Sequence, residues 1–179
     1  LMQSITLGGY VRNEPAILIY DLNSEKTKLV PGFFISDTEL LDVRVNSNNT
    51  FNVVIADRTN KQRMKLILKT FDSQGAQLLE DAMEIDSKKM ILSGISSTLI
   101  NDNLIIAGTW TVGNSKQASG IYATVVDPFS EQPINYYDFG QLDHFLDYQN
   151  SKQAAKLKTR SVKANQLNDI PDFKAYVMP

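Results

Sequence analysis

Apolar residues in this chain come in short runs broken by polar turn formers, a spacing that fits strands rather than helices as far as Phe139. Leu40-Leu41-Asp42-Val43-Arg44-Val45 alternates apolar and polar residues from Leu41 onward, and Asn46-Ser47-Asn48-Asn49 follows it. That tetrapeptide predicts a turn, because Asn tolerates positive φ and bonds its own backbone. A second strand is expected over Phe51 to Ala56, a polar hairpin over 57–63 and a third strand over Met64 to Phe71. Asp72-Ser73-Gln74-Gly75 reads as a type I turn with glycine in the left-handed position, ahead of a fourth strand from Gln77 to Ile85. The second and third runs are nearly all apolar, which predicts central strands covered on both faces.

The same order recurs downstream. Strands are expected at Ser93 to Leu99, Leu104 to Trp110, Ile121 to Val126 and Pro133 to Tyr137, with a Gly/Ser-rich hairpin from Val112 to Gly120. A shorter copy upstream lacks the first strand. It enters at Ser4 to Tyr10, continues at Ala16 to Tyr20, turns at Asp21 to Ser24 and ends in Thr27 to Val30. Ile5-Thr6-Leu7 thus lines up with Val54-Ile55-Ala56 and Ile105-Ile106-Ala107, and the closing aspartates Asp21, Asp72 and Asp127 recur at intervals of 51 and 55 residues. A period near fifty with four short strands is the pattern of β-propeller blades. The expected fold is therefore all-β: antiparallel four-stranded propeller-type blades over 1–139, with a partial blade at 1–35 and blades at 36–89 and 90–139.

After Phe139 the period changes. Leu142, Phe145 and Leu146, then Ala154, Ala155 and Leu157, fall at helical spacing, so a C-terminal helical arm is expected over 140–179, either one helix or two broken near Asn150-Ser151. Its cations Lys152, Lys156, Arg160 and Lys163 lie at i, i+4, i+8 and i+11, one stripe with no acid between Ser151 and Lys163. Exposed, such a stripe fits a docking surface for an acidic partner as well as a plainly solvated face.

Charge sharpens this division. The whole chain carries a net −2, but residues 151–179 hold six bases and two acids, leaving −6 for residues 1–150. The acidic part argues against a nucleic-acid binder at the scale of the whole chain. Absence of cysteine excludes disulfides and thiol chemistry. No apolar run approaches the roughly eighteen residues a membrane-spanning helix needs. The start at Leu1 and the end at Pro179 read as cuts through a longer polypeptide, into which the arm is expected to continue.

Candidate chemistry is sparse. The repeated Asp after each third strand fits a cation ring or, more simply, a turn in which the carboxylate accepts backbone N–H groups. His144, the lone histidine, has Asp143 and Asp147 nearby, but no Gly-x-Ser-x-Gly elbow accompanies it, and a surface position is expected. Asn48-Asn49-Thr50 satisfies a glycosylation sequon on an expected turn. Tyr10 and Trp110 end their strands and would serve either as stacking platforms or as packing between sheets.

The order of apolar strand, Gly-aromatic hairpin and strand ending in Asp, as in Gly108-Thr109-Trp110 to Gly120-Ile121-Tyr122, resembles uncharacterised propeller-like repeat proteins of the bacterial cell envelope. The likeness covers residues 4–139 and loosely the arm, and the chain lacks a Trp-Asp or kelch Gly-Gly signature in every copy. It implies a fold and an envelope location and transfers no catalytic residue or cofactor. On this basis the chain is expected to be a non-catalytic scaffold or protein-interaction module. Its partner would be a protein, or the remainder of the same chain covering open blade edges, with Lys152, Lys156, Arg160, Lys163 and Trp110 as candidate contacts. The alternatives are part of a glycan-acting enzyme whose carboxylates lie mostly elsewhere, and a phosphate or nucleic-acid binder using the basic stripe.

Overall fold

The computed structural model describes the backbone of residues 2–7 and 10–15 and, with side chains, residues 17–30, 37–98, 103–113, 115–116, 118–144, 147, 150–152 and 155. Two four-stranded antiparallel sheets dominate it. In the first, β5 (Thr38–Val45), β6 (Thr50–Asp57), β7 (Lys65–Asp72) and β8 (Gln77–Glu84) lie side by side in chain order. In the second, β9 (Lys89–Thr98), β10 (Leu104–Val112), β11 (Gly120–Val125) and β12 (Asn135–Asp138) do the same. Upstream, β1 (Met2–Leu7) pairs with β2 (Tyr10–Pro15), and β3 (Ile17–Asp21) pairs with β4 (Lys26–Val30).

The turns follow from their residues. Asn49 has φ 59, and Asn48 Oδ1 accepts from the Thr50 hydroxyl at 2.6 Å, closing the hairpin between β5 and β6. Between β7 and β8, Gly75 takes φ +78, while Asp72 Oδ1 accepts from Gln74 N and Ala76 N at 2.8 Å each. A side chain at Gly75 would be strained by that φ and would press on Ile19 and Val30 of the neighbouring hairpin.

The pleat sorts β6 onto two faces. Phe51, Val53 and Ile55 pack with Phe71 and Val30, joined by Ile17, Ile19 and Ile67, so one face meets the β3–β4 hairpin. Val54, with Leu66, Leu68 and Met83, packs against Ile91, Ile106, Trp110 and Tyr122, so the other face meets the second sheet. The first sheet is thus the middle layer of three, which is why β6 is buried from Phe51 to Ala56. Each fully buried Leu or Val contributes about 1.5–3 kcal/mol from apolar burial.

The two large sheets come closest where β9 faces β5 and β6. Polar groups bridge them there: Arg44 Nη1 donates to Ser96 O at 2.8 Å, and Ser96 N donates to Asp42 Oδ2 at 3.3 Å. Gly94 makes the approach sterically feasible, since a Cβ there would sit 2.6 Å from Tyr122 Oη and 3.1 Å from Leu41 Cδ1.

Two expectations are corrected. The first copy does not place Ser4 to Tyr10 beside Ala16 to Tyr20; the upstream run pairs locally instead, with Leu7 opposite Tyr10. Gly-Gly between extended runs is a hairpin sequence, and closing a short loop costs less entropy than pairing across a longer one. Leu40, Val43 and Val45 of β5 are 37%, 45% and 80% exposed, although their register partners Ile55, Val53 and Phe51 are buried. The second correction concerns the start of the arm. Residues 139–141 form a short 3-10 helix capped by Asp138, and the chain then leaves helical geometry, with Leu142 extended and His144 at φ 59. The capping box of Asp138 and Gln141 starts this single turn, and the extended backbone of Leu142 ends it. Ser151, Lys152 and Ala155 are helical, while residues 153–154 and 156–179 of the expected arm, including Lys156, Arg160 and Lys163, lie outside the described residues.

Candidate functional site

Strand connections gather at opposite ends of the three layers, and each end carries a cleft. At the end where β6 begins, a cleft of about 660 Å³ lies between the β3–β4 hairpin and the first sheet. Its lining includes Tyr20, Asp21, Lys28, Asn49, Thr50 and Gln74. Lys28 Nζ donates to Gln74 O at 2.5 Å, tying the hairpin to the turn after β7.

At the end where β6 finishes, a second cleft of about 420 Å³ lies between the two large sheets. The hairpin after β6 supplies Arg58, Lys61 and Met64, the link from β8 to β9 supplies Lys88, and the start of β9 supplies Lys89 and Met90. Arg58 is held in place by donating to Ile91 O at 2.8 Å and by pairing with Glu39 at 2.5 Å. Lys89 pairs with Asp86 at 2.6 Å, and its Nζ stands 5.2 Å and 4.7 Å from the ring centroids of Trp110 and Tyr136. The Lys89 ammonium, seconded by the Lys88 N–H, holds the Asp86 carboxyl below its ordinary range. Burial pushes the Tyr136 phenol up to about 12, partly offset by the Asp86 N–H donated to its oxygen.

The residues expected from sequence to make contacts fare differently. Trp110 is only 5% exposed; its indole N–H donates to Ile121 O at 3.0 Å and its ring meets Tyr136 edge-on at 5.7 Å. It is a packing residue between sheets and offers no stacking platform, because a ring that size is more stable in the core with its N–H satisfied. Lys152 is exposed, whereas Lys156, Arg160 and Lys163 lie outside the described residues. The aspartates after the third strands form turns. Asp21 Oδ1 accepts from Asn23 N and Ser24 N at 2.8 and 3.1 Å, and Asp127 accepts from Phe129 N at 3.0 Å and the Ser130 hydroxyl at 2.5 Å. These donors depress both carboxyls, Ser24 N–H being the largest influence at Asp21 and the Ser130 hydroxyl at Asp127. His144 is exposed and sits 2.6 Å from Asp147.

Sequence reasoning missed Arg58, Lys61, Lys88 and Lys89 as a group. The signal was their shared position: one pair follows the second strand and the other precedes the next copy, and antiparallel strands deliver both to the same end. Comparison with family models, with curated proteins and with solved structures returns no match.

Proposed function

We propose that this chain is a non-catalytic, propeller-type repeat module that holds a protein partner with the loops at the ends of its stacked sheets and with the basic stripe of residues 152–163. One observation carries this: each junction between successive layers opens into a cleft lined by connections from both layers. Stacked β units that approach along their first strands and leave loops free at the ends suit display of a binding surface on a rigid frame. Placement in the bacterial cell envelope rests on the resemblance of the strand-and-hairpin pattern.

The experiment is capture of a protein partner from an envelope extract by the immobilised chain. Reversing Lys152, Lys156, Arg160 and Lys163 to Glu is expected to weaken capture, and reversing the exposed Lys152 alone to leave the thermal midpoint nearly unchanged, since an exposed charge contributes about 0–1 kcal/mol. Turnover of a glycan panel that survives this reversal and disappears on replacing carboxylates overturns the proposal in favour of an enzyme.

A further inference from the structure

We infer that the cleft between the two large sheets, lined by Arg58, Lys61, Lys88 and Lys89 over Met64 and Met90, receives an acidic peptide segment bearing a bulky apolar side chain. This deepens the interaction-module reading and rests on it. Three observations meet here. First, the sign of charge is anomalous: residues 1–150 carry a net −6, yet among the described residues four cations and no carboxylate line this cleft. Two carboxylates stand behind it, Glu39 on Arg58 and Asp86 on Lys89, and they leave an excess of two positive charges.

Second, the cations differ in freedom. Arg58 and Lys89 are fixed by backbone, carboxylate and aromatic partners, so their positions are set before anything binds. Lys61 and Lys88 are exposed, and among the described residues neither ammonium makes a close ion pair, the Asp86 carboxylate acting on Lys88 only at longer range. They supply the mobile charges that an incoming acid would engage, with an on-rate that falls as salt screens them.

Third, the floor is apolar. Met64 and Met90 are half-buried, and Met64 packs against the core. Methionine is polarisable and adapts its shape, which suits a surface receiving an apolar side chain. A bare inorganic anion would leave that floor without a partner. A peptide with carboxylates on both sides of a Leu or Phe satisfies floor and rim together, and about 420 Å³ accommodates such a side chain with its flanking backbone.

Trp110 provides the readout. It is the chain's only tryptophan, and the ammonium of the cleft-lining Lys89 stands 5.2 Å from its ring. The full chain is titrated with a peptide of alternating Glu and Leu while Trp110 fluorescence is followed. Expected are a saturable change, an affinity at least tenfold weaker in the Lys61→Glu/Lys88→Glu variant, and a similar loss between 50 and 300 mM salt. A Glu/Ser peptide of equal charge is expected to bind at least fivefold more weakly, as is the Glu/Leu peptide to Met90→Ala. Equal binding of a Lys/Leu peptide, no effect of the double reversal, or competition by inorganic phosphate at the peptide's own affinity each overturns the inference. Because the capture experiment reverses a different set of cations, loss of peptide binding with capture intact rejects this cleft alone. Peptide binding without any charge-dependent capture rejects the wider reading instead.

Discussion

Single residues in this molecule act mainly by where the fold lets them keep their polar atoms. Tyr122 is 1% exposed, with its hydroxyl donating to Ser93 O at 3.0 Å, and Tyr136 donates its ring to both Trp110 and Lys89. Burial raises both phenols above their ordinary value, Tyr136 to about 12. A raised folded-state value means the neutral form is favoured by folding. The associated stability is therefore intact below the unfolded value near 10 and is lost as pH rises towards and through the folded one. The thermal midpoint is expected to fall as pH passes about 10, with the last phenolate absorbance appearing together with loss of the β-sheet circular dichroism signal. Complete ionisation of every tyrosine in a still-folded protein would contradict the burial of these two rings. The same scale explains the fate of Trp110. Its sequence position at a strand end favours packing over a stacking platform, and Tyr136 and Ile121 from later strands complete that packing.

At the scale of elements, hairpins were legible where turn chemistry and apolar period agreed. Asn46 to Asn49 and Asp72 to Gly75 announce tight turns, so β5 to β8 appear close to their expected places, and β9 to β12 follow the same logic. Legibility failed where two local signals competed. Gly8-Gly9 matches Gly108 as the end of an aligned strand, and the same dipeptide between extended runs also encodes a hairpin. Leu142, Phe145 and Leu146 carry helical spacing, but Asp138 and Gln141 form a capping box around a single 3-10 turn, and His144 adopts φ 59. The basic cleft was invisible because its cations come from the hairpin after β6 and from the entry to β9, far apart in sequence. Burial in the strands gives a direct test. Leu68 in β7 is fully buried in the core between sheets, whereas Leu18 in β3 points away from the first sheet and is 45% exposed. Leu68→Ala is expected to cost about 2–5 kcal/mol in urea unfolding, from lost transfer energy and the cavity left behind. Leu18→Ala is expected to stay within about 0.5–1 kcal/mol. Equal costs at both sites would mean that Leu18 is covered in solution.

Across the whole molecule, stability is graded by how many faces of each layer are covered. The middle sheet has an apolar layer on either side, and its strand β6 is buried along its length between the β3–β4 hairpin and the second sheet. The hairpin is covered on one face only, with Leu18, Tyr20 and Leu29 exposed on the other, and its tie to the middle sheet is the Ile17, Ile19 and Val30 contact plus the Lys28 bond to Gln74. Local opening costs less where fewer apolar contacts must be broken, so hydrogen exchange reports this gradient. Amides of β6 and β7 are expected to exchange only through global unfolding, with a denaturant dependence equal to that of the whole chain. Amides of β3 and β4 are expected to exchange through a smaller opening, with a shallower denaturant dependence. The second sheet should share the global behaviour of the first through Met83, Ile91, Ile106 and Trp110, since neither can lose that shared core alone. Substituting Ile106→Ala then lowers protection in β6 as well as β10, because the cavity opens against Val54 and Leu66. Protection of β3 and β4 equal to that of β6 would show that their exposed face is covered in solution, and protection of β10 reduced without any change in β6 would show two independently folding sheets.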